Sequence, residues 1–157
     1  MIGWLVRALA VLVTAGAFAI AAHGQDDTRQ AVRLVIERFG QAIDNADLPM
    51  LLAQLAEDAV MDSKIAGGKV GKQKYADAMA AAFRTGGLVG MEVRDIKITI
   101  VDATHARVRA TISPWLRAQR LVYDHEWTLE QRDGRWLIIE STYPVRVPEP
   151  VEPPRIA

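Results

Sequence analysis

The sequence predicts an α+β domain in which three N-terminal helices pack on a curved, mainly antiparallel sheet. Three observations carry this reading. Apolar residues recur at three- and four-residue spacing through the first half of the chain. After Gly86-Gly87 the period changes to two. Asp133-Gly134 then separates two strand-like runs, a two-residue hairpin signal. Helices gathered ahead of an antiparallel sheet have its apolar face to cover.

Residues 1–24 read as an export signal. Arg7 is the one cation, no acid is present, and everything from Ala8 to Ala22 is apolar or small. The run is short for a bilayer span, which takes roughly 20 apolar residues. Ala22 and Gly24 flank His23 as a small-residue cleavage site before Gln25. The expectation is a periplasmic or secreted protein. The alternative is an uncleaved anchor in the inner membrane, the only membrane contact foreseen.

Residues 28–45 form the clearest helix, with Val32, Val35, Ile36, Phe39 and Ile43 on one stripe. Asp47 is placed to cap a second helix, and Pro49 falls in its first turn, where a missing N–H costs little. Leu48, Leu51, Leu52 and Leu55 give that helix its apolar stripe, and Glu57-Asp58 closes it. A short strand over 59–63 and a loop from Gly67-Gly68 follow. Gly71 opens a third helix over 72–84, with Tyr75, Met79, Ala82 and Phe83 on one face. Strands are predicted over 91–102, 105–113, 121–131 and 136–143, as a four-stranded antiparallel meander. The last fourteen residues hold five prolines, which forbid a ladder or a helix, so residues 145–157 are expected to be a disordered, polyproline-like tail. The folded domain is thus expected over 25–144.

The 19 basic and 19 acidic residues balance; loss of Arg7 with the signal leaves 18 against 19. That argues against nucleic acid as a partner. Cysteine is absent, so no disulfide supports the fold. Half of the residues are apolar, enough for a buried core without staples.

The stretch 38–62, RFGQAIDNADLPMLLAQLAEDAVMD, resembles the first two helices and first strand of the nuclear transport factor 2-like, or SnoaL-like, superfamily. Gly71-Lys72 at the third helix and the ending RDGRWLI at 132–138 are similar too. The resemblance spans nearly all of the chain between signal and tail. It implies a cone of curved sheet around a pocket, often in a homodimer. It does not fix a function, because this fold hosts isomerases, dehydratases, cyclases and non-catalytic proteins. Aligned through Asp47, the tyrosine acid of ketosteroid isomerases falls at Phe39 and their aspartate base at Ser63. Neither residue can do that work near neutrality, so that mechanism is not expected here.

Counting back from the hairpin places Leu129 opposite Ile138, Trp127 opposite Glu140 and His125 opposite Thr142. Tyr123, His125, Glu140 and Trp136 then share the face turned into the cone. His125, Glu140, Tyr123 and Asp62 are the candidate acid–base residues; a structural His–Glu pair is the alternative use of the first two. Phe39, Phe83, Trp127 and Trp136 are the candidate pocket lining for a small hydrophobic ligand. Leu137, Ile139 and Tyr143 would face outward and support a homodimer through the outer sheet face, with an unrecognised second layer over that face as the alternative. Arg107 and Arg109 read as a solvated outer face.

No metal and no cofactor is expected. His125-Glu126 begins an H-E-x-x-H match that fails at Leu129. The 66–73 stretch fails as a phosphate loop, with Ala66 for the first glycine and Gln73 for the magnesium-binding Ser or Thr. The serines lie in no nucleophile motif.

Overall fold

The computed structural model describes residues 3–117 and 119–144, with side chains from Gly24 onward. The segment read as an export signal and the proline-rich tail therefore lie outside the described side chains and residues.

Helix α1 (Gly3–Asp44) buries Val32, Val35, Ile36, Phe39, Ala42 and Ile43, the stripe its spacing foretells. It ends where the Asp44 carboxylate accepts a 2.8 Å hydrogen bond from the Met91 N–H. Asp47 then caps α2 (Leu48–Ala53), its carboxylate accepting from the Met50 N–H at 2.9 Å.

From here the structure corrects the sequence reading. The second helix lasts six residues, and Leu55 already belongs to strand β1 (Leu55–Ser63). The strand is therefore nine residues long, starting four before the 59–63 expected. Long-range pairing explains this: β1 runs parallel to the last strand, with Leu55 beside Ile138 and Met61 beside Ser141. A leucine pattern that fits a helix yields to that pairing, since tertiary context overrides local propensity. The glycine loop is likewise a hairpin. Gly67 and Gly68 take φ of +83° and +126°, and Gly68 opens β2 (Gly68–Gly71) against β1.

Helix α3 (Lys72–Thr85) buries Tyr75, Ala76 and Met79 and stops at Gly86 in the left-handed conformation. The remaining strands are β3 (Leu88–Ile100), β4 (His105–Leu116), β5 (Gln119–Arg120), β6 (Tyr123–Arg132) and β7 (Arg135–Thr142). The sheet order is β2-β1-β7-β6-β4-β3, with β5 beside β4. The expected antiparallel meander is present as β3-β4-β6-β7, and the parallel β1 makes the sheet mixed.

The hairpin register holds only near its turn. Arg132 faces Arg135 and Leu129 faces Ile138 as counted, but Thr128 then faces Glu140 and Trp127 faces Ser141. Ile139 is the extra residue of a β-bulge. One inserted residue exchanges the two faces of everything beyond it, because side chains alternate with period two.

Candidate functional site

The inner face of β6 carries Tyr123, His125, Trp127 and Leu129 in strict alternation. On β4 their neighbours are Ile112, Ala110, Val108 and Ala106. Phe39 and Ile43 of α1 and Tyr75 and Met79 of α3 help close the opposite wall. The result is a cavity of about 280 Å³. Its polar wall comes from the end of β1 and the turn after it, Asp62 to Lys64, and from the end of β7, Ser141 and Tyr143. The Ser141 hydroxyl accepts the Asp62 N–H at 3.1 Å and so ties those two strand ends together.

His125 is 4% exposed and stacks edge-to-face with Trp127 at 4.6 Å and with Tyr143 at 4.7 Å. Burial lowers its pKa to about 4, so the ring is neutral near pH 7. Its Nδ1 is buried without a hydrogen-bond partner, as is the Trp127 Nε1. Burial also raises the phenols of Tyr75 and Tyr123, and it pushes Tyr143 up to about 12 against the opposing backbone hydrogen bond from Lys64. All three remain hydroxyls at any ordinary pH. The Lys64 ammonium lies 4.2 Å from the Tyr123 ring centre and 5.4 Å from that of Tyr143.

Five of the eight residues foreseen at the site line this cavity: Phe39, Asp62, Tyr123, His125 and Trp127. Three do not. Glu140 is turned to the outer face by the bulge and pairs with Lys69 at 3.3 Å. Trp136 is buried, but it sits opposite Gln131 near the hairpin turn, beyond the reach of the His125 end of β6. Phe83 packs partly buried against the core near the end of α3, while Tyr75 and Met79 take the cavity wall. The anticipated His125–Glu140 pair therefore does not form. The same bulge brings Tyr143 inward, which corrects its placement on the outer face and removes it from the surface proposed for dimerisation. Tyr75 and Met79 were legible as the inner stripe of their helix; Lys64 and Ser141 carried no sequence signal.

Among the described residues no three His, Cys, Asp or Glu side chains converge as metal ligands.

No family model and no curated relative matches the chain. Solved structures do. A nuclear transport factor 2-like protein of unknown function from Pseudomonas putida superposes with a TM-score of 0.65 at 20% identity, over 74% of this chain and 84% of the other. A candidate scytalone dehydratase from Novosphingobium aromaticivorans gives 0.62 at 17% identity, over 76% and 85%. A candidate aromatic ring hydroxylase from the same organism gives 0.61 at 17%, over 73% and 85%. At such identities the likeness carries the architecture and not the chemistry. The chain has the nuclear transport factor 2-like fold.

Proposed function

We propose that this domain binds one small, largely apolar molecule in the cavity between the sheet and helices α1 and α3. The observation that carries the reading is the cavity itself. At about 280 Å³, walled by Phe39, Met79, Ile112 and Trp127 and dotted with a few polar groups, it matches the composition of small-ligand sites and lies near the lower end of their size range, roughly 300–1,000 Å³. The test is native mass spectrometry of the purified chain, followed by titration with compact aromatic probes while tryptophan emission is recorded. Saturable quenching that disappears on filling the cavity with Ile112→Trp supports the reading. Binding unchanged by Ile112→Trp places the ligand elsewhere and defeats it.

A second reading is an acid–base enzyme, an isomerase or dehydratase on a small hydrophobic substrate. It is favoured by a neutral His125 and the carboxylate of Asp62 lining one cavity, with His125 or Asp62 as base and Tyr123 as acid. Turnover abolished by His125→Gln with folding intact would select it over simple binding. On the sequence signal at residues 1–24 we also infer that the protein works beyond the inner membrane.

A further inference from the structure

The geometry around His125 points to the kind of polar group the ligand carries, on the assumption that the cavity is a ligand site as proposed above. The ring is wedged between Trp127 and Tyr143, and no carboxylate hydrogen-bonds to it among the described residues. Its Nδ1 is buried with no hydrogen-bond partner, whereas Nε2 is not among the buried atoms that lack one. His125 lines the cavity, which leaves Nε2 as the nitrogen able to serve a ligand there. A neutral imidazole carries one proton, on one nitrogen or the other. An orphaned buried N–H is rarer than an acceptor left without a donor, and Trp127 Nε1–H already supplies one beside this ring. The proton therefore belongs on Nε2, leaving Nδ1 as the stranded lone pair.

We infer that His125 presents Nε2–H to the cavity as a fixed donor, and that the ligand is an uncharged molecule with an apolar ring and a carbonyl-type acceptor. The surrounding groups agree. The hydroxyls of Tyr123 and Tyr143 keep their protons and can donate beside it. Asp62 on the same wall opposes a second carboxylate. The ammonium of Lys64 lies against two tyrosine faces instead of reaching a deep anion. A neutral donor in an apolar pocket repays the desolvation of a carbonyl oxygen far more readily than that of a full charge.

Two measurements on the full chain test this. Ring nitrogen NMR of the 15N-histidine-labelled protein, assigned by the signals missing from His125→Leu, is expected to show a protonated Nε2 and a bare Nδ1 at neutral pH. The reverse tautomer overturns the inference without any ligand. Calorimetric titration then compares acetophenone, ethylbenzene and benzoate, which differ in little but the polar group. Acetophenone is expected to bind on the order of tenfold more tightly than either, the gain of one net hydrogen bond. His125→Leu should erase its advantage over ethylbenzene. Equal affinity for acetophenone and ethylbenzene sinks the donor role but spares the apolar cavity. Binding of none of the three sinks the cavity reading and this inference with it.

Discussion

His125 owes its neutrality to burial alone, and that has a thermodynamic signature. The unfolded chain protonates this imidazole near pH 6.5, the folded chain near 4. Between those values the unfolded state binds the extra proton, so stability falls as the pH drops from 6.5 to 4 and levels off below. A difference of that size corresponds to about 3 kcal/mol. Urea unfolding at pH 7 and pH 4 should show this loss in the wild type and lack it in His125→Phe; an equal pH dependence in both would place the acid sensitivity elsewhere. Glu140 is the counterexample. Its link to Lys69 is between two half-exposed side chains, so Glu140→Gln should cost less than about 1 kcal/mol in thermal unfolding and leave ligand affinity untouched. From the sequence the two residues read as one pair. Only His125 was legible as a cavity residue, because its strand alternates without interruption from Tyr123 to Leu129. Glu140 was not, because nothing in the residues around Ile139 announces that the strand takes an extra step there.

Elements were readable wherever their cause is local. The α1 stripe, the Asp47 cap, the glycine stop of α3 and the Asp133-Gly134 turn all follow from residues close in sequence. Asp47→Ala should accordingly cost about 1 kcal/mol in chemical denaturation, the usual loss for one N-cap hydrogen bond. The failures share an opposite cause. The early end of α2 and the full length of β1 depend on a partner strand some eighty residues away, and no window of the sequence contains both. There Ile138 donates its N–H to the Gln54 carbonyl at 2.9 Å, so the chain turns extended at the residue where helix propensity alone would continue. The bulge in β7 falls in the strand that pairs with β6 on one side and β1 on the other.

For the molecule as a whole, the buried positions of α1 among the residues with described side chains begin at Val32. If residues 1–24 are the export signal proposed above, the exported product is expected to start at Gln25 by intact mass, and a chain lacking residues 1–24 to melt at the same temperature as the full one. A lower midpoint for the shortened chain would mean that the leading segment supports the fold. The β1–β2 pair, by contrast, joins the rest of the sheet only through β7. Strand β1 has only β2 beside it until β7 arrives to run parallel to it, and Ser141 and Tyr143 complete the cavity wall. A polypeptide leaves the ribosome, or enters a translocation channel, with its N-terminus leading. A chain that stops short of Ser141 therefore carries helices α1, α2 and α3 yet leaves the cavity without the strand-end wall that Ser141 and Tyr143 supply.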